Sequence, residues 1–412
     1  MKDANGTLLL ILAVALVAPL IASTFPRLKV PSLVMEIVFG IIIGPQVLNL
    51  AAVTPPIELL SNLGLAALIF MAGFELDPDR LKGDPMRRAL GGWVMSIALG
   101  LAVAGLLHLS GLVLSQLFLG FALTTTALGT LLPIARDAGV LPTRFGTDLL
   151  AVGSVGEFGP IIAVALVLSG TSPTKAVESL IVFVVAAVLV LLWAHRGRDS
   201  ALMRRAVELT LRSSGQVYIR LALLMVALLA WVAVELGLDF LLGAFTAGMI
   251  YRMFLQHAAE ADVETVELKL EAVAFGYVIP IFFVVTGVTY DLDSLLHSTK
   301  ALLMVPLFLL CFLLVRGLPV LLYRRSMPDP NHRRALVFFS ATALPLVVAI
   351  TTLGVEAQQM RPSTAASLVG AGMISVILFP LLGMAAYRRG APDPETAEAP
   401  GPIGPEAPAL GG

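Results

Sequence analysis

Apolar blocks of about 20 residues, the length an α-helix needs to cross a bilayer, recur from residue 6 to residue 386 with short polar breaks between them. At that depth no water is present to satisfy backbone groups, and the blocks are too long for barrel strands, so each is expected to be a helix. The whole chain of 412 residues is 58% hydrophobic and 13% charged, against about 25% charged in an ordinary soluble domain. The expected fold class is therefore an all-α polytopic membrane protein, with one integral domain over 1–390.

Thirteen spans are expected: 6–25, 31–50, 57–75, 89–109, 112–135, 145–169, 174–195, 216–236, 238–256, 273–290, 300–323, 334–354 and 363–386. The first is long for a signal-peptide core and lacks a clear cleavage site, so it is kept as a span. With the N-terminus outside, only Lys2, Lys175, Lys300 and Arg361 lie in outer segments. Arg316 lies within a span, and the other 22 of the 27 basic residues fall in inward loops. That bias sets the N-terminus outside and the C-terminus in the cytoplasm of a cell (inner) membrane protein.

Cys311 is the sole cysteine and the five histidines are dispersed near segment ends, so neither a disulfide nor a thiolate metal cluster can form within the chain. No cofactor is expected, and nothing in the charge pattern points to nucleic acid. The segment 391–412 holds six prolines and four acidic residues with no basic one, the composition of a disordered cytoplasmic tail.

Two spans carry interruptions in corresponding places. The fifth contains TTTALGTLLP (124–133), with Thr124, Gly129 and Pro133 marking the expected break, and the twelfth contains SATALPLVVAITTLG (340–354), with Thr342 and Pro345. Such matched segments point to discontinuous helices that bind an ion near the midplane, in an inverted repeat of spans 1–6 and 8–13. The plainer alternative is a pair of proline-kinked helices.

Charges inside spans cost roughly 2.5–3.5 kcal/mol at the helix centre and mark function by default. Glu157 lies near the middle of span six among glycines 153, 156 and 159, so backbone and a small ion can approach it closely. Desolvation penalises the charged carboxylate and brings proton exchange within reach of cellular pH, whereas a bound cation favours the charged form. Competition of that kind is a cation/proton exchange mechanism; the structural alternative is that Glu157 pairs with Arg316. For Arg316, which stays charged, a structural role is expected, against a carboxylate or helix-end carbonyls. Glu36 reads equally as an ion-pathway residue or as that partner. Glu75 ends span three as a solvated mouth residue or helix-end contact, and Asp148 either lines an inward funnel or favours its helix dipole.

At these residues the chain resembles the sodium/hydrogen exchanger family, specifically the bacterial cation:proton antiporter-2 (monovalent cation:proton antiporter) branch. The matching pieces, in order, are VPSLVMEIVFGIIIGP (30–45), LGLAALIFMAGFELD (63–77), TTTALGTLLPIARDAGV (124–140), LLGAFTAGMI (241–250), VIPIFFVVTGVTYDL (278–292) and RGLP (316–319). The resemblance implies a homodimer, with dimerisation and mobile core bundles, two crossing broken helices and elevator-like alternation. It places the family's paired ion-binding motif, Asp-Asp or Asn-Asp, on Gly156 and Glu157. The carboxylate is kept with one more methylene, and the first polar partner is absent.

The resulting expectation is a secondary antiporter exchanging Na⁺ or K⁺ for H⁺, pH homeostasis being the associated role. The transported cation is the only metal expected, at Glu157, with Thr125, Thr126 and Ser154 as further oxygen ligands. A single titrating carboxylate makes one cation per proton, electrically neutral, the simplest stoichiometry. The alternatives are a potassium-efflux system and a non-transporting sensor on the same fold. A membrane-bound enzyme is disfavoured: no span shows the paired aspartates of an intramembrane protease, and there is no HExxH.

Overall fold

Prolines set where many of the helices start, because a missing amide and a fixed φ suit the first turn. A computed structural model describes residues 3–24, 31–75, 83–168, 173–198, 215–255 and 260–390. The acidic tail and several of the loop arginines and lysines counted above, Arg27, Lys29, Arg80 and Arg204 among them, lie outside the described residues.

The first half comprises α1 (Ala4–Thr24), α2 (Ser32–Ile43), α3 (Pro55–Phe74), α4 (Asp84–Leu109), α5 (Gln116–Leu123), α6 (Leu128–Asp137), α7 (Arg144–Leu168) and α8 (Pro173–Arg198). The second comprises α9 (Val217–Glu235), α10 (Phe240–Leu255), α11 (Glu260–Val273), a π-helical turn (Ala274–Val278), α12 (Ile279–Thr289) and the short α13 (Leu292–Leu296). It continues with α14 (Thr299–Gly317), a 3₁₀ segment (Leu318–Tyr323), α15 (Pro330–Ala341), α16 (Pro345–Glu356) and α17 (Pro362–Tyr387). Among the described residues, eight helical stretches are long and apolar enough to cross a membrane, and four shorter apolar helices accompany them. This is a multi-pass, all-helical membrane protein.

The helices pack in two groups. In one, α2 lies along α12 and α3 along α10, with Gly40 against Gly287 and Gly73 against Gly248: a Cβ on any of these four would collide with backbone of the facing helix. Small residues of this kind let membrane helices approach closely where no hydrophobic drive operates between them. In the other group α4, α5 and α7 pack together, joined by α14, α15, α16 and α17.

Span five is split into α5 and α6, and span twelve into α15 and α16. The first break runs over Thr124–Ala127, the second over Thr342–Leu344. Thr124, Thr342 and Pro345 therefore sit at the breaks as expected, but Gly129 lies in the first turn of α6, and Pro133 lies inside that helix. A membrane helix absorbs an internal proline at the cost of one amide bond, and so Pro133 does not end it. Span ten also differs from its expected bounds: the apolar helix runs over Val263–Thr289. The acids Glu264, Glu267 and Glu271 obscure its start in the sequence.

Candidate functional site

The two breaks meet. The amide of Ala127 donates to the carbonyl of Thr342 at 2.8 Å, and the amide of Thr126 donates to the carbonyl of Gly156 on α7 at 3.0 Å. Backbone groups released by each interruption are thus satisfied by the other and by the intact helix beside them, as burial demands. At the second break the Ser375 hydroxyl, on α17, accepts from the amide of Ala343 at 3.0 Å and lies 2.9 Å from that residue's carbonyl.

Glu157 lies beside this crossing, 3% exposed. The amide of Leu128, first residue of α6, bonds its carboxylate, so the negative charge faces a half-helix N-terminus, where the dipole favours an anion. Its Oε2 atom is buried and has no hydrogen-bond partner among the described residues. A buried carboxylate oxygen left without a protein donor is available to a proton or a cation.

Arg316 is buried at 3% exposure, and every partner found for its guanidinium is neutral. Nε and Nη2 donate to Thr126 Oγ1 at 3.0 and 2.8 Å, Nε also to the Ser340 carbonyl at 3.2 Å, Nη2 to the Val152 carbonyl at 3.2 Å, and Nη1 to Ser96 Oγ at 3.2 Å. Among the described residues it forms no ion pair with Glu157 or Glu36. Both carboxylate-partner alternatives therefore give way to the helix-carbonyl one. A Cβ built on Gly156 would collide with Nη2 of Arg316 and would lie 2.6 Å from Thr126 Oγ1.

The expected oxygen ligands divide accordingly. Thr126 is committed: its hydroxyl accepts twice from Arg316 and donates to the Ser340 carbonyl at 2.6 Å, which uses all the bonds a hydroxyl can make. Thr125 and Ser154 donate back to Ala122 and Leu150 within their own chain segments and keep lone pairs for a cation. The remaining charges lie elsewhere. Asp148 is paired with Arg88 at 3.1 Å, and Arg88 sits over the Tyr323 ring, 5.6 Å from its centroid. An ion pair, and not its helix dipole alone, accounts for it. Glu75 follows the last residue of α3. Glu36 lines a cavity of about 450 Å³ between α2, α6, α12 and α17.

Ser96, Ser340, Ser375 and Trp93 were not among the expected site residues. Each is a polar group in an apolar helix, which is the one signal that marks them. The Trp93 ring lies where a Cβ on Gly159 would be, so α4 closes against α7 one turn beyond Gly156.

Comparison with known proteins identifies the family and the fold. The family described as "Sodium/hydrogen exchanger, transmembrane" matches residues 12–383. The chain is 26% identical over 399 residues to the putative Na⁺/H⁺ antiporter YjbQ of Bacillus subtilis, covering 93% of this chain and 63% of that protein. It is 29% identical over 280 residues to the Na⁺/H⁺-K⁺ antiporter GerN of Bacillus cereus, covering 65% and 68%. It is 28% identical over 377 residues to the glutathione-regulated potassium-efflux protein KefC of Escherichia coli, covering 89% and 58%. The chain thus spans less than two thirds of the length of YjbQ and KefC. The solved sodium proton antiporter MjNhaP1 of Methanocaldococcus jannaschii shares the fold, with a TM-score of 0.64 at 16% identity, over 92% of this chain and 97% of that one. Matched by the family model over nearly its whole length, this chain belongs to the sodium/hydrogen exchanger family.

Proposed function

We propose that the protein is a secondary antiporter that exchanges Na⁺ or K⁺ for H⁺, with Glu157 as the site for which cation and proton compete. The observation that carries the reading is the Glu157 carboxylate: buried, faced by one backbone amide, and with Oε2 lacking a donor. Protonation or a cation would each complete that oxygen, and both cannot do so together. Thr125 and Ser154 join as oxygen ligands, while Thr126 serves to hold Arg316.

The fixed charge of Arg316 bears on stoichiometry. With one arginine and one titrating carboxylate at the crossing, the proton-loaded and cation-loaded forms carry the same net charge, and only the empty form differs. One cation for one proton is then electrically neutral, with the core bundle moving against a dimeric frame in a cell membrane and the N-terminus outside. Names of the relatives support both Na⁺ and K⁺, and K⁺ efflux is the second reading.

The test is fluorescence dequenching in everted vesicles with Na⁺, K⁺ and Li⁺ in turn. Glu157→Gln is expected to remove cation-dependent proton flux while the purified protein keeps its melting transition; normal flux in that variant would overturn the assignment. A strong response of exchange rate to an imposed membrane potential would overturn the one-for-one ratio.

A further inference from the structure

Glu36 is 5% exposed and makes no hydrogen bond or ion pair to any described residue. Among the described residues it is also the one ionisable residue lining the 450 Å³ cavity. Ser32, one turn earlier on α2, lines the same cavity. An unpartnered carboxylate in a largely apolar chamber is costly unless something compensates it.

The other walls supply oxygen. Pro133 has no amide to give the Gly129 carbonyl four residues back, and Pro380 has none for Val376. In the π-turn the bonds run five residues back, as from the Ile279 amide to the Ala274 carbonyl; by that pattern Pro280 has no amide for the Phe275 carbonyl. Gly129, Val376 and Phe275 all line this cavity. Three helices thus each carry a proline that withholds a helical donor from the carbonyl of a cavity-lining residue. Carbonyls released in this way, with a carboxylate, are what hard monovalent cations take in exchange for their hydration shell.

We propose that the cavity holds a second cation site, formed by Glu36, Ser32 and the carbonyls of Gly129, Phe275 and Val376, where the transported cation rests before it reaches Glu157. The cavity and the crossing share α6: Gly129 lines the cavity, and Leu128 beside it bonds Glu157 through its amide. Glu36 sits on the helix group that does not carry Glu157, whereas Val376 on α17 belongs to the group that does, so the station lies at the boundary between the two groups. The proposal rests on the exchanger reading given above.

Two measurements test it on the full chain. In reconstituted vesicles, Glu36→Gln is expected to raise the half-saturating Na⁺ or K⁺ concentration about tenfold with the maximal rate retained, the signature of lost uniform binding. The effect appears only for cation presented on the face where the cavity opens, and Glu36→Asp restores the wild-type value. Ser32→Ala gives a smaller rise. An unchanged half-saturating concentration, or an equal change from both faces, overturns the proposal.

The second measurement needs no transport. With Cys311→Ser and Leu33→Cys, a cationic methanethiosulfonate is expected to react faster than an anionic one, to be slowed by Na⁺ or K⁺, and to lose both properties on adding Glu36→Gln. Equal rates for the two reagents, with no protection by cation, overturn the site. If the selectivity is seen in a protein that exchanges nothing, the exchanger reading fails and the site stands. If it is absent while Glu157→Gln abolishes exchange, the site alone fails.

Discussion

Nη2 of Arg316 occupies the space in which a side chain on Gly156 would begin. The glycine beside the Glu157 carboxylate is therefore a seat for a guanidinium. Arg316 then bonds Thr126, Ser340 and Val152, tying both broken helices and α7 to α14. The positive charge is seated at Gly156, the residue before Glu157, where the resemblance places a polar partner.

Gly156→Ala is expected to destabilise the protein by about 1–3 kcal/mol, as overpacking does, and Gly156→Asn by more. The guanidinium can swing aside, but the Thr126 Cβ, 2.9 Å from the added atom, is held by the amide bond from Thr126 to Gly156. Exchange should fall at least about tenfold in Gly156→Asn, since about 1.4 kcal/mol of barrier is a factor of ten. Melting in detergent and vesicle dequenching check this; wild-type values in both would show that Arg316 is not confined by Gly156.

Ser375→Ala leaves the amide of Ala343 buried without its acceptor in the second break. A buried donor left unsatisfied costs about 1–3 kcal/mol, and Ser375 is 0% exposed. The expected outcome is a lower melting temperature together with faster hydrogen exchange at Ala343, the latter confined to the break. Unchanged protection of that amide would mean another group accepts from it.

The helices and the crossing were legible in different degrees. Apolar length fixes the helices because lipid leaves the backbone no other choice. Thr124, Thr342 and Pro345 mark the break edges because a hydroxyl and a missing amide both act locally. Pro133 misled for the same reason: its effect is local, and the surrounding protein tolerates it within α6. Ser96 and Ser375 read as ordinary helix residues until tertiary packing sets them against Arg316 and Ala343. The emptiness of position 156 is visible in the sequence as a missing side chain, but what fills it comes from a residue 160 positions away.

Outside the spans, Asp291 offers a check on the turn that follows α12. Burial pushes its carboxyl up, but the Ser294 hydroxyl and amide and the Gln46 side chain together hold it below the usual range. Gln46 Nε2 donates to Oδ1 at 3.2 Å and its Oε1 accepts from the Asp293 amide at 3.0 Å, joining the end of α2 to the start of α13. A carboxyl with a depressed folded value stabilises fully above its unfolded value, about 3.9, and that contribution is lost as pH falls through the lower folded value. Asp291→Ala is therefore expected to lower stability by about 1 kcal/mol at pH 7, the usual worth of an N-cap, with a deficit that shrinks below about pH 4. Asp291→Asn keeps the cap but does not titrate, so it should converge on the wild type only in acid. Melting temperatures of the three proteins across pH check this, and a deficit in Asp291→Ala that is the same at low and neutral pH would show that the carboxylate's charge plays no part in holding the turn.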